Sequence, residues 1–230
     1  MRIIVTAGPT REHLDPVRFL SNPSTGKMGF AIAAEAARRG HDVTLIAGPV
    51  ALKTPKGVKR VDVVSAREML AAAVASCSSG ASSSSITSST SQASPARPTV
   101  FIATAAVADW RPAKCATKKL KKGEMSPMLK LVRNPDILKS LNQKIKKTDN
   151  RTIRLVGFAA ETDHVLAEAA RKCREKGLSF IVANDVTQKG CGFGTDTNRV
   201  TFVFPDGTLK KFPLMTKRMV AKNIIREIEK

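Results

Sequence analysis

The side chains best suited to chemistry follow the first apolar run of the sequence. Gly8 comes directly after that run, and polar residues then continue as far as Gly26 and Lys27, with Ser24 shortly before them. The first N–H groups of a helix have no partner within the helix, so a helix that begins here can hold a phosphate. We therefore predict a phosphate or substrate site formed by Gly8, Ser24, Gly26 and Lys27. A long connecting loop with incidental polar residues is the alternative.

Two familiar nucleotide-binding motifs are absent from this connection. The dinucleotide fingerprint needs three closely spaced glycines after the first strand, but the glycine that follows Gly8 is Gly26. A P-loop would have a glycine in place of Ser21 and a serine or threonine in place of Met28. A short-chain oxidoreductase that binds an adenine dinucleotide is therefore disfavoured, and so is a P-loop enzyme.

Two further segments combine small or polar residues with the ends of predicted elements. In residues 103–112, alanines end an apolar run and Asp109 follows, so a flat base could approach the backbone there. Close packing of a helix on the sheet explains the same spacing. Pro135 suits the first position of a helix, whose N–H groups could meet phosphate oxygens. Ordinary capping of that helix is the alternative.

Lysines are concentrated in one short segment, where they could close over a triphosphate and stabilise charge that develops at phosphorus. These are Lys114, Lys118, Lys119, Lys121 and Lys122. Lys172 and Lys176 lie on a predicted helix at i, i+4 spacing, share one face and could both reach phosphates. A solvated charged surface is the alternative for both groups.

Alternating strand-like and helix-like segments must position these residues. They predict a Rossmann-like α/β fold, a mostly parallel sheet with helices on both faces. Strands are expected at Arg2–Ala7, Asp42–Ala47, Val58–Val64, Val100–Ala105, Leu129–Val132, Leu155–Phe158 and Phe180–Ala183. Helices are expected at Gly26–Arg39, Ala66–Ala75 and His164–Lys176.

The end of the chain predicts an antiparallel addition to this sheet. Val200–Phe204 and Thr208–Pro213 flank the turn dipeptide Asp206-Gly207, which is the pattern of a β-hairpin. Thr216 is expected to cap a last helix, Lys217–Lys230. A hairpin of this kind often serves dimerisation, and a simple extension of the sheet edge is the alternative.

Length and composition indicate one globular domain, residues 1–230. Hydrophobic residues make up 42% of the chain, which is enough for a core. The segment Ser76–Pro98 is rich in serine and almost free of large apolar residues, so we expect a disordered surface insertion. The four cysteines are scattered, which disfavours a disulfide framework or a zinc site.

The formal net charge of +20 raises the alternative of a basic nucleic-acid-binding protein. The chain has one Trp, no Tyr and nine Phe, mostly in strand-like runs, so few rings are available to stack on bases. Specific nucleic-acid binding is therefore disfavoured. No apolar run is long enough to cross a membrane, and the chain starts directly with a strand pattern, so we expect a cytoplasmic protein without a signal peptide.

Taken together, these segments resemble the phosphopantothenoylcysteine synthetase domain, the C-terminal domain of the DNA/pantothenate metabolism flavoproteins. The matching strings are TAGPTREHLDPVRFLSNPSTGKMG, ATAAVADWRP, KKLKK, LVRNPDIL, VGFAAET, ANDV and FGTDTN. The flavin-binding half that accompanies this domain in many bacterial relatives has no counterpart here, so no flavin is expected.

The resemblance implies a phosphopantothenate–cysteine ligase of coenzyme A biosynthesis. The 4'-phosphopantothenate carboxylate would attack the α-phosphate of a nucleoside triphosphate, and the resulting acyl-nucleotide would meet the amine of L-cysteine. CTP is the favoured nucleotide and ATP the alternative, with Mg²⁺ carried by the nucleotide and no direct protein ligand to the metal. The resemblance also implies a homodimer in which the C-terminal strands meet.

Site residues follow from the same resemblance. The catalytic residues would be Arg18, Asn22 and Lys119, of which Lys119 converts the intermediate. The nucleotide contacts would be Ala105, Ala106, Asp109, Asn134, Pro135, Asp136, Ile137, Phe158, Lys172 and Lys176.

Overall fold

The computed structural model describes residues 1–78, 97–123, 128–147, 152–161, 163–188 and 190–230. Most of the predicted insertion at Ser76–Pro98 lies outside these residues, so its disorder stays a prediction. Residues 76–78 continue a helix that was expected to end at Ala75. Among the described residues, no helix is both long enough and apolar enough to span a membrane.

Among the described residues, the main sheet has eight strands. They are β1 (Arg2–Ala7), β4 (Asp42–Ala47), β5 (Val58–Asp62), β6 (Thr99–Ala103), β9 (Ile153–Glu161), β10 (Phe180–Asp185), β12 (Val200–Val203) and β13 (Leu209–Lys211). Their spatial order is β13-β12-β10-β9-β6-β1-β4-β5. The pairs from β10 to β5 are parallel, whereas β12 pairs antiparallel with β10 and with β13. The predicted parallel sheet and C-terminal hairpin are therefore confirmed.

In the part of the chain that the structure describes, three pairs of short strands lie outside the main sheet. They are β2 (Arg11–His13) with β3 (Phe19–Ser21), β7 (Trp110–Pro112) with β8 (Leu131–Arg133), and β11 (Thr197–Asn198) with β14 (Met215–Thr216). Sequence patterns predicted only one of these strands, β8, because a strand of two or three residues is too short to show a period-two alternation.

The helices cover both faces of the sheet, as predicted. They are α1 (Lys27–Arg38), α2 (Ala66–Ser78), α3 (Ile137–Lys147), α4 (Val165–Glu175) and α5 (Lys217–Ile228). Alternate side chains of β1 point to opposite faces, so Ile3 joins a core with Ile32 of α1 and Ile224 of α5. Ile4 joins the second core, under α2, α3 and α4.

The starts of two helices can be compared with the positions predicted from the sequence. The Thr216 hydroxyl accepts a hydrogen bond from the Met219 N–H at 3.3 Å, so the predicted cap of α5 is confirmed. Helix α3 begins at Ile137, two residues later than the position predicted from Pro135.

Candidate active site

The carboxyl ends of β1, β6 and β9 open onto two neighbouring cavities in the described part of the chain. The first, of about 220 Å³, lies at the start of α1 and also touches the loops before α5. The second, of about 200 Å³, lies at the start of α3. Ala105, Val107 and Phe158 line both cavities, so the two spaces share one wall. Such a strand edge is where open α/β sheets bind their ligands.

The start of α1 is pressed closely against the sheet. A Cβ atom at Gly29 would lie 2.5 Å from the Ala7 Cβ and 2.5 Å from the Thr104 Oγ1, so no larger residue fits without moving the helix. Gly26, just before the helix, has a φ of +78°, which favours glycine. No side chain of the described residues caps this helix. The first residues of the helix line the first cavity, and the phosphate site predicted there stays a prediction.

Two lysines give the first cavity a positive wall. The Lys27 Nζ donates to the Asp196 Oδ1 at 2.7 Å and to the Gly194 carbonyl at 2.8 Å. Lys217 is only 8% exposed, and its Nζ donates to the Thr195 carbonyl at 2.5 Å. Burial, and then the charge of Lys27, hold the pKa of Lys217 below its ordinary value. A doubly charged anion in this cavity would relieve both effects.

Lys217 is a site residue that sequence reasoning missed. It was placed only as the first residue of the last helix. One signal was present, because a cation in the first turn of a helix opposes the helix dipole and is therefore out of place there. With Thr216 expected as the cap, that mismatch could have marked Lys217 as a functional residue.

Asn22 and Ala106 are hydrogen-bonded beside the first cavity, whose lining includes Ala106 but not Asn22. The Asn22 Nδ2 donates to the Ala106 carbonyl at 3.0 Å, and the Ala106 N–H donates to the Gly8 carbonyl at 2.9 Å. These bonds join the loop after β1 to the loop after β6. The structure therefore brings Gly8, Asn22 and Ala106 together, and it places Ser24, Gly26 and Lys27 on the lining of the same cavity.

The second cavity contains carboxylates and an amide beside one lysine. Its lining includes Asp109, Asn134, Pro135, Asp136, Ile137 and Lys176. The Lys176 Nζ lies 2.8 Å from the Asp136 Oδ2, while the Asp136 Oδ1 accepts from the Lys139 N–H at 3.0 Å. Burial acts to raise the pKa of Asp136, but the bonds from Lys139 and Lys176 outweigh it and keep that pKa below its usual value.

The Asn134 side chain is engaged in positioning the backbone. Its Nδ2 donates to the Ala108 carbonyl at 2.8 Å, and its own N–H donates to the Asp109 carbonyl at 2.7 Å. These bonds hold the loop that carries Asp109 against the start of α3.

Five predicted residues, Gly8, Arg18, Asn22, Lys119 and Lys172, line neither cavity as the described residues define them. Lys119 is exposed, and Lys172 is half-buried on α4. The Arg18 guanidinium lies against Asp15 and the carbonyl of Leu120. Their predicted contacts with a nucleotide or intermediate remain predictions. Within the described residues, no three His, Cys, Asp or Glu side chains cluster as metal ligands would.

An open, mostly parallel sheet with a ligand-sized space at the carboxyl ends of its strands defines a Rossmann-like α/β protein. Residues 1–230 match the model of the DNA/pantothenate metabolism flavoprotein C-terminal domain, and the chain belongs to that family. The family predicted from the sequence is therefore confirmed.

Known relatives agree. The chain is 45% identical over 231 residues to the coenzyme A biosynthesis bifunctional protein CoaBC of Escherichia coli strain K12, covering 99% of this chain and 51% of the relative. It is 44% identical over 227 residues to the protein of the same name from Bacillus subtilis strain 168, covering 98% and 50%. The chain thus spans about half the length of these relatives.

A solved structure agrees over nearly all of the chain. The crystal structure of the C-terminal domain of the coenzyme A biosynthesis bifunctional protein CoaBC superposes with a TM-score of 0.75 at 39% identity, covering 99% of this chain and 93% of that domain. The fold of this chain is therefore that of the C-terminal half of the bifunctional relatives.

Proposed function

We propose that this chain is a phosphopantothenate–cysteine ligase of coenzyme A biosynthesis. The observation that carries the proposal is the pair of cavities that share Phe158, one cationic and one lined by polar groups at a helix start. The family and the names of its relatives support coenzyme A biosynthesis as the setting. A cytoplasmic location, expected from the sequence, stays a prediction.

In this proposal the phosphate of 4'-phosphopantothenate binds in the first cavity. The uncapped N–H groups of α1 and the ammonium of Lys217 supply hydrogen bonds and charge to it. The nucleotide binds in the second cavity, with Lys176 near its phosphates and Asp109 at the rim for a sugar or base contact. The pantothenate carboxylate then attacks the α-phosphate beside the shared wall, and pyrophosphate leaves.

Asn22 and Ala106 lie where the two substrates would meet. Once the carboxylate is joined to a nucleoside monophosphate, its carbon becomes a good electrophile and the amine of cysteine displaces the nucleotide. The Asn22 amide, which donates to the carbonyl of the cavity-lining Ala106, is proposed to bond the acyl-phosphate group. Lys119 is proposed to approach the same group and stabilise its charge.

Mg²⁺ fits this site as a companion of the nucleotide. The carboxylates of Asp109 and Asp136 line the second cavity, but the described residues hold no three-ligand cluster. Mg²⁺ commonly keeps waters and phosphate oxygens as ligands, so the nucleotide can carry it without a direct protein ligand. When bound, it would neutralise triphosphate charge.

A homodimer is also proposed, with the two copies joined through β13. This strand is the last one at one edge of the described sheet, and all three of its residues are exposed. Light scattering after size-exclusion chromatography would then give twice the chain mass of 24.7 kDa. A mass of one chain would contradict the dimer without affecting the ligase proposal.

The decisive experiment measures pyrophosphate release with 4'-phosphopantothenate, L-cysteine and Mg²⁺, using CTP and ATP in separate reactions. We expect release with CTP to exceed release with ATP, and the amide product to appear only when cysteine is present. Release in the ATP reaction but not in the CTP reaction would support the ligase proposal and identify ATP as its nucleotide. No release with either nucleotide would refute the function, and steeply salt-dependent binding of DNA would favour the nucleic-acid alternative.

A further inference from the structure

The lysine-bearing segment, residues 114–122, is tied to the turn of the β2–β3 hairpin by three hydrogen bonds. The Ala116 N–H donates to the Leu14 carbonyl at 2.8 Å. Two further bonds hold Leu120, whose N–H donates to the Asp15 Oδ2 at 3.2 Å and whose carbonyl accepts from the Arg18 Nη2 at 2.8 Å. The peptide groups on both sides of Leu120 are therefore fixed, directly beside Lys119.

The two carboxylate oxygens of Asp15 have different partners. Oδ1 accepts from the Val17 and Arg18 N–H groups at 2.9 and 2.8 Å, which builds the turn itself. Oδ2 accepts from the Arg18 Nε at 3.0 Å and Nη2 at 2.6 Å, and from Leu120. The turn thus requires only Oδ1, whereas Oδ2 serves the link to the lysine-bearing segment.

Asp15 is fully buried and remains charged. The hydrogen bonds from Arg18, more than any other cause, lower the pKa of this carboxyl far below its usual range. A buried carboxylate with this many donors holds its geometry firmly, because each unmade bond would leave a charge without solvation.

We propose that Asp15 is a positioning residue, which together with Arg18 fixes the Leu120 peptide and so sets the backbone position from which Lys119 reaches the reacting groups. This proposal rests on the proposed function for the role of Lys119. Arg18 then acts on the reaction through the lysine-bearing segment, so its guanidinium need not contact a substrate that is bound to the same chain.

The variant Asp15→Asn tests the link while it keeps the turn. Its amide oxygen can still accept from Val17 and Arg18, but its NH₂ group then faces the donors of Arg18 and Leu120. Limited trypsin digestion of the native protein, followed by mass spectrometry, measures cleavage within residues 114–122. We expect cleavage there to be at least about 10-fold faster than in the wild type, because local opening precedes cleavage.

A single-turnover reaction supplies the second measurement. The acyl-nucleotide should form at close to the wild-type rate, whereas its conversion to the amide should slow by about 10- to 100-fold. Lys119→Gln should show the same pattern. An Asp15→Asn enzyme that slows both steps equally would overturn the positioning role.

Glu12→Gln is the matched control. Glu12 is a buried carboxylate in the same hairpin, but its Oε1 accepts from the Ala66 N–H at 2.9 Å, at the start of α2. This variant should lose stability without faster cleavage in residues 114–122. Equal cleavage rates in Glu12→Gln and Asp15→Asn would overturn the proposal.

A second variant covers the case in which Asp15→Asn fails to fold. Arg18→Gln removes the bond to the Leu120 carbonyl and leaves the Oδ1 bonds of the turn in place. Faster cleavage in residues 114–122 supports the proposal, and wild-type cleavage contradicts it. The digestion requires no ligase activity, so a wild type that releases no pyrophosphate would refute the proposed function alone.

Discussion

The two cavities beside Phe158 both lie at the start of a helix, but the two helices present those starts differently. Helix α1 has no capping side chain among the described residues, and its first residues line the first cavity. Helix α3 is capped by the carboxylate of Asp136, which accepts from the Lys139 N–H. An anion in the first cavity can therefore bind the helix itself, whereas one in the second must rely mainly on Lys176.

Lys27 in the first cavity is paired with Asp196, much as Lys176 in the second is paired with Asp136, so the difference in charge between the cavities depends on Lys217. Lys217 is almost fully buried, and its Nζ bonds only a carbonyl in the contacts described. Lys176 is partly exposed and already paired with Asp136. This difference supports the proposal that the first cavity binds one fixed anion and that the second binds a larger ligand through several weaker contacts.

The largest expected effect comes from Gly29→Ala, which tests whether the first cavity depends on the close approach of α1. Alanine favours a helix by about 1 kcal/mol. The new Cβ, however, would lie 2.5 Å from both Ala7 and Thr104, and overpacking of this kind costs about 1–3 kcal/mol. We expect a lower melting temperature and a loss of kcat/KM of about 100-fold or more, because α1 must move.

Gly123→Ala is the matched control, since a Cβ there meets no described residue within 4 Å. Its stability should stay near that of the wild type. If Gly29→Ala kept full activity, the helix start would not be a binding element.

The second prediction concerns Lys217→Met, which keeps the length of the side chain and removes its charge. A hydrogen bond to a charged group contributes about 1.5–3 kcal/mol. The KM for the phosphorylated acid should therefore rise about 10- to 100-fold, with the KM for the nucleotide nearly unchanged. Steady-state kinetics with each substrate varied in turn measures both values.

Arg218→Met provides the control, because Arg218 is the next residue and is exposed. It should leave both KM values unchanged. An equal rise of the two KM values in Lys217→Met would mean that the cavities do not bind separate substrates.

The third prediction concerns Lys176→Met, which should affect the KM for the nucleotide and not the KM for the phosphorylated acid. The expected change is smaller than the one for Lys217→Met. Lys176 is 26% exposed at its side chain, so solvent screens its charge. We expect the KM for the nucleotide to rise about 3- to 10-fold, with little change for the phosphorylated acid. Arg174→Met, an exposed position on the same helix, is the control. A rise in the KM for the phosphorylated acid would reverse the assignment of the two cavities.

The smallest expected effect is a pH dependence that belongs to the first cavity alone. Because the pKa of Lys217 is lowered by burial and by Lys27, with Asp196 opposing, this lysine loses its proton at a lower pH than an ordinary lysine. Affinity for the phosphorylated acid should be full below that pKa and fall a few-fold as the pH rises through it. Kinetics at alkaline pH checks this, and Lys217→Met should abolish the decline.

Much of the fold could be predicted because its signals are local. The bounds of β1 and β4 were predicted as observed, since continuous apolar runs between turn residues mark buried parallel strands. Helix α1 and the cap at Thr216 also depend on neighbouring residues alone. The β2–β3 hairpin was missed because three-residue strands carry no readable period.

The candidate site was only partly predictable. Gly8, Ser24, Gly26 and Lys27 could be grouped because they flank one connection in the sequence. The ion pair between Asp136 and Lys176, and the cavity that they share with Asp109, join segments that no local pattern connects. Such contacts depend on the order of strands across the sheet.

The sequence by itself determined the strands of the main sheet, most of the helices and the family of this chain, because these depend on residues close together or on strings matched one by one. The tertiary structure decided that Lys217 lines the same cavity as Lys27, and that Asp15 bonds the Leu120 N–H across 105 residues. The physical reason is that partners far apart in the chain are chosen by the packing of the whole sheet. No spacing along the sequence encodes that choice.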